Sequence, residues 1–131
     1  MYSILLVEDH ATFASVLVRM LGLTKNLHVT AVVKRAEAAL KELQAQTFDL
    51  VLVDVALPEM NGINLVSLIH DQYPDLPCLM LSGHTLGHYV NRALAAGARG
   101  YILKDDTLAI VEGIQQVLRG EIYVSKKLRR S

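Results

Sequence analysis

A chain of 131 residues is one domain's worth and is long enough to bury a sizeable core. With 52% apolar residues, 20% charged residues and a formal net charge of zero, it is neither a disordered chain nor an electrostatic binder of nucleic acid or membranes. The single cysteine, Cys78, excludes an internal disulfide. No apolar run reaches the roughly 18 residues of a membrane span, and no basic, cleavable leader precedes the first strand-like run, so a cytoplasmic location is expected.

In chain order, residues 3–7 predict a first strand, ending on Glu8 and Asp9. A helical pattern follows over 11–21, with Phe13, Leu17, Met20 and Leu21 on one face and Gly22 as its stop. Residues 28–33 alternate as a second strand, and 36–46 carry Ala36, Ala39, Leu40 and Leu43 at helical spacing. Residues 50–53 are four apolar residues without alternation that end on Asp54, the pattern of a strand buried on both faces. A loop marked by Pro58 and Asn61-Gly62 leads to a helix over 63–73, which Pro74 and Pro77 end. Strand four is 78–81, ending on Ser82-Gly83, and Cys78 is read as a buried, inert thiol within it. Helix 85–96 stops at Gly97; strand 99–103 ends on Lys104; helix 107–119 stops at Gly120; a short basic tail follows.

Five strands alternating with five helices predict a doubly wound parallel sheet with helices on both faces and right-handed crossovers. Count and length fit the flavodoxin-like strand order 2-1-3-4-5, whose ligand crevice lies between strands one and three. That order places Glu8, Asp9 and Asp54 side by side. Two carboxylates 4 Å apart repel by about 4 kcal/mol at an effective dielectric of about 20, a cost that a fold tolerates where a cation or a reaction uses it. The plain alternative is that Asp54 caps a turn.

Four strands thus end on polar groups at one edge: Glu8-Asp9, Asp54, Ser82 and Lys104. Hard oxygen donors suit Mg²⁺ better than zinc, and His84 and His88 have no further ligands near them in sequence. A lysine can hold an anion, a serine hydroxyl can bond phosphate oxygens, and an aspartate can accept a phosphoryl group. No Gly-rich loop follows strand one and no Gly-x-Ser-x-Gly elbow is present, which argues against a nucleotide-binding or hydrolytic enzyme.

Together, in order and each at its strand end, these residues resemble the receiver domains of bacterial two-component response regulators. The resemblance covers essentially the whole chain and rests on Glu8-Asp9, Asp54 with the following 57–62 loop, Ser82-Gly83, and Tyr101 ahead of Lys104. Glu8-Asp9-His10, Leu103-Lys104-Asp105 and the run 120–125 look most like the NarL/LuxR-type subfamily, whose members usually continue into a helix-turn-helix DNA-binding domain.

The resemblance implies a CheY-like fold, a receiver over residues 1–120, and a basic tail or start of a linker over 121–131. Asp54 would take a phosphoryl group from a sensor histidine kinase. Mg²⁺ would be held by Asp9, Asp54 and the Ala56 carbonyl, with Glu8 acting through water. Lys104 would pair with Asp54 at rest and with a phosphoryl oxygen afterwards, Ser82 would bind another phosphoryl oxygen, and the Val55 and Gly83 amides would complete the cradle. Ser82 moving toward the phosphoryl group would let Tyr101 turn inward. Such a domain assists its own phosphorylation and hydrolysis and is not a turnover enzyme; it meets DNA only through an output domain, and no membrane. The other readings are a phosphorylation-independent interaction module on the same fold and a stand-alone receiver.

Two features depart from the pattern. Ala56 is small and apolar where many receivers carry a longer polar side chain, and His84, two residues after Ser82, is a candidate modulator of phosphoryl lifetime. On the last helix, Ile110, Ile114 and Val117 are expected to face the sheet. Leu108, Val111 and Leu118 form a second apolar row, read either as a partner or homodimer surface or as a broad core face.

Overall fold

The short apolar runs become strands because the sheet is parallel and covered on both sides. In the computed structural model, which describes residues 1–83 and 88–129, the strands are β1 (Tyr2–Val7), β2 (Leu27–Val33), β3 (Leu50–Asp54), β4 (Cys78–Ser82), β5 (Gly100–Leu103) and β6 (Tyr123–Val124). The helices are α1 (Ala11–Gly22), α2 (Ala36–Ala45), α3 (Gly62–Gln72), α4 (His88–Ala96) and α5 (Thr107–Leu118). Every strand pairing is parallel, in the order β2-β1-β3-β4-β5-β6. The expected order 2-1-3-4-5 holds, with a sixth strand added beyond β5. The residues 85–87 expected to open the fourth helix lie outside the described residues.

The pleat divides each apolar run between two cores. Leu5, Val7, Val51, Val53, Met80 and Tyr101 face α2, α3 and α4. Ile4, Leu6, Leu50, Leu52, Leu79 and Ile102 face α1 and α5. β3 is buried at all five positions, which is why its sequence shows no alternation, whereas the edge strand β2 alternates. Cys78 is buried within β4, and burial pushes its thiol up to about 12.

On α5, Ile110, Ile114 and Val117 are buried as expected. The second row does not form a continuous face: Val111 and Leu118 pack against the α1/α5-side core, leaving Leu108 exposed. Among the described residues no helix is long and apolar enough to cross a membrane.

The segment expected to be a tail is built into the fold. Gly120, at a φ of +91°, turns the chain out of α5 and back along β5. The Tyr123 amide donates to the Arg99 carbonyl at 3.0 Å and the Ser125 amide to that of Tyr101 at 3.0 Å. β6 then ends, and the Ser125 hydroxyl accepts the Leu103 amide at 3.0 Å, standing in for a strand carbonyl. Tyr123 is buried on the α5 face and Leu128, in a single 3₁₀ turn at Lys126–Leu128, on the other. A two-residue strand gives almost no periodic signal, and the basic residues around it read as a solvated run, so sequence patterning passes over it.

Candidate functional site

Strand register decides which side chains meet. Val7 pairs with Val53, Asp54 with Leu81, and Ser82 with Leu103, so the residues that close β1, β3, β4 and β5 share one sheet edge. Glu8, Asp54 and Ser82 are all buried there. Lys104 reaches across the end of β4 to place its Nζ 3.1 Å from Asp54 Oδ2 and 2.9 Å from Glu8 Oε1. One ammonium therefore serves two buried carboxylates, leaving one negative charge in excess.

The Lys104 ammonium also donates to Glu8 Oε2 at 3.1 Å, and backbone amides add to both carboxylates. Ala56 N–H donates to Asp54 Oδ1 at 3.1 Å, and His10 N–H donates to Glu8 Oε2 at 3.0 Å. Burial pushes the Glu8 carboxyl above its ordinary range, and the Lys104 ammonium and the His10 amide pull it part of the way back. The loop after β3 is closed tightly: Gly62 N–H donates to the Val55 carbonyl at 2.7 Å, and Asn61 Oδ1 caps α3 by accepting the Ile63 amide at 2.8 Å. A Cβ at position 62 would collide with the Asp54 carbonyl oxygen, so Gly62 is required by close approach to the Asp54 backbone.

Asp54, Ser82 and Lys104 line one cleft of about 320 Å³, together with Ala56, Gly83, His10, Phe13 and Val55. Glu8, His10 and Asp54 each offer a ligand atom within 4.8 Å of the others, a set able to hold a metal ion. Asp9, next in sequence to Glu8, is exposed and is not one of this set. The Val55 amide does not complete the cradle: it donates to the Leu81 carbonyl at 3.0 Å in the sheet ladder, and the Ala56 amide takes the expected place beside the carboxylate. The reason is register: the ladder between β3 and β4 continues one residue past Asp54.

Tyr101 is fully buried on the α4 side of the sheet, so the ring expected to turn inward is already inside. Burial pushes its phenol up, and the adjoining Ser82 side chain opposes that shift. Its hydroxyl makes no well-formed hydrogen bond among the described residues. His84 lies outside the described residues.

Three contributors escape sequence reasoning. Phe13, read as a core-stripe residue, presents its ring 4.9 Å from Lys104 Nζ. The His10 and Ala56 amides are invisible in side-chain chemistry; their signal is position, two residues after Glu8 and two after Asp54.

These features define a doubly wound α/β domain with an acidic pocket at the point where the strand order reverses. Residues 4–115 match the response regulator receiver domain family, and the chain belongs to that family. It is 31% identical over 126 residues to the transcriptional regulatory protein DegU of Brevibacillus brevis, covering 95% of this chain and 53% of that protein. It is 35% identical over 105 residues to the DNA-binding transcriptional activator DevR/DosR of Mycobacterium tuberculosis, covering 80% and 48%. The chain thus spans about half the length of the curated relatives it matches. A LuxR-family two-component response regulator from an Aurantimonas species superposes with a TM-score of 0.95 at 26% identity, covering 99% of this chain and 94% of that one. The receiver domain of the putative response regulator NarL from Mycobacterium tuberculosis gives a TM-score of 0.85 at 28% identity, covering 92% and 98%.

Proposed function

We propose that Asp54 accepts a phosphoryl group from the phosphohistidine of a sensor kinase and that the resulting change is passed to a DNA-binding output domain. The observation that carries this is the Lys104 ammonium bridging Asp54 and Glu8 inside a cleft at the sheet edge. An Asp54 oxygen attacks phosphorus, the phosphorus–nitrogen bond breaks, and the imidazole leaves with its electron pair. Lys104 then follows the negative charge onto a phosphoryl oxygen, and the Ser82 hydroxyl donates to another. Ala56 and Gly83 line the same cleft, and their amides would take further phosphoryl oxygens. This is positioning and charge neutralisation, which phosphoryl transfer chiefly needs.

The donor chemistry fits a hard divalent cation: carboxylates crowd together with negative charge in excess of the one ammonium. Asp9, Asp54 and the Ala56 carbonyl would hold Mg²⁺, with Glu8 acting through water. When bound, it supplies charge neutralisation to the phosphoryl oxygens. Hydrolysis of the acyl phosphate in the same cleft would reset the domain. Its relatives include a transcriptional regulatory protein and a DNA-binding transcriptional activator, which supports an output domain that binds DNA.

Intact-mass measurement after incubation with Mg²⁺ and phosphoramidate tests the proposal. Wild type gains one phosphoryl mass, and Asp54→Asn gains none. Labelling that persists in Asp54→Asn moves the acceptor elsewhere; an unlabelled wild type refutes the reading. The already buried Tyr101 favours a second reading, an interaction module that holds this conformation without phosphate. Only that reading expects wild type and Asp54→Asn to bind partners equally.

A further inference from the structure

The geometry points to Phe13 as a positioning residue for Lys104. This rests on the acceptor reading of Asp54 and adds to it a residue that acts through the lysine.

Lys104 closes β5, whereas its anionic partners close β3 and β1. In the order β1-β3-β4-β5 the ammonium must reach past the end of β4, roughly 10 Å for two strand spacings to Asp54. A long, flexible side chain held that way needs lateral support. Phe13, in the first turn of α1, supplies it. Its ring is half-buried, packs against the α1/α5-side core, and lies with its centroid 4.9 Å from Lys104 Nζ. Both side chains line the cleft that contains Asp54 and Ser82.

The kind of contact matters. The bonds from Lys104 to Glu8 and Asp54 are directional, and drawing the ammonium toward a phosphoryl oxygen shifts and reorients them. Attraction to a ring face is broad and survives a small displacement of the nitrogen. Phe13 therefore keeps Lys104 over the cleft while its hydrogen-bond partners change. An aliphatic residue of similar size would fill the space and lack the quadrupole.

The experiment separates ring from bulk. Phosphorylation by phosphoramidate with Mg²⁺ is followed in wild type, Phe13→Leu, Phe13→Tyr, Lys104→Ala and the Phe13→Leu/Lys104→Ala double variant. Side-chain NMR relaxation of the Lys104 ε-methylene is recorded in the phosphate-free proteins that retain it. Phe13→Leu is expected to slow labelling about two- to fivefold, the size of a partly exposed cation–π contact, and to loosen the ε-methylene. Phe13→Tyr retains most of the rate and the order, and Phe13→Leu adds nothing in the Lys104→Ala background. If Phe13→Tyr is as slow as Phe13→Leu, or the leucine penalty is undiminished without Lys104, the inference fails. A wild type that takes no label sinks the acceptor reading instead; the NMR comparison still decides Phe13, and unchanged Lys104 order in Phe13→Leu overturns its role.

Discussion

Replacing Ser125 with alanine tests whether the C-terminal segment belongs to the domain. The substitution leaves the Ser125 amide free to donate to the Tyr101 carbonyl, and it removes only the hydroxyl that accepts the Leu103 amide at 3.0 Å. Ser125 and Leu103 are both buried, so water does not readily replace the lost acceptor. An orphaned buried amide costs about 1–3 kcal/mol. For a chain of 131 residues, a loss of about 2 kcal/mol lowers the melting temperature by roughly 7 °C. Urea denaturation gives the stability, and amide hydrogen exchange gives the location. The Leu103 amide should lose protection while the Ser125 amide, still bonded to Tyr101, retains more of its own. Unchanged stability together with an unchanged Leu103 exchange rate would show that the hydroxyl is dispensable and that β6 merely rests on β5.

Two further outcomes follow from the site. Glu8 binds its proton more tightly in the folded state than in the unfolded chain, because burial raises its folded-state value. As pH rises from the ordinary glutamate value of 4.5 to the raised one, the folded state holds more protons than the unfolded state. The contribution of Glu8 to stability therefore falls with rising pH across that window. Glu8→Gln should flatten this part of the stability profile, read by thermal melts from pH 4 upward; an identical slope in both proteins would contradict it. Gly62→Ala should destabilise by about 1–3 kcal/mol, because the new Cβ meets the Asp54 carbonyl and backbone must shift. A denaturation midpoint within error of wild type would show that the loop yields without strain.

Most of the fold is legible along the chain because its signals are local. The continuous run Leu50–Asp54 is apolar at four successive positions since both faces of β3 are covered, and that is a property of one short segment. The stops at Pro74, Gly97 and Gly120 are likewise local. The element bounds agree with the pattern to within a residue or two wherever both are described.

The gathering of Glu8, Asp54, Ser82 and Lys104 is legible for a related reason. Once the strands are parallel and ordered, their carboxyl ends must share one edge. What the sequence by itself determined is therefore the layered architecture, the strand order and the chemical set at the crevice.

Tertiary structure alone decided how those groups are joined. The resemblance implies the pair of Lys104 with Asp54; that the same ammonium also holds Glu8 depends on the reach of a side chain across β4. That the Val55 amide is consumed by the Leu81 carbonyl, leaving the Ala56 amide beside Asp54, depends on one step of ladder register. The Phe13 ring over Lys104 and the Ser125 hydroxyl on β5 both pair residues distant along the chain. Periodicity reports which face of an element is buried; it carries no information about which distant atom completes a hydrogen bond there.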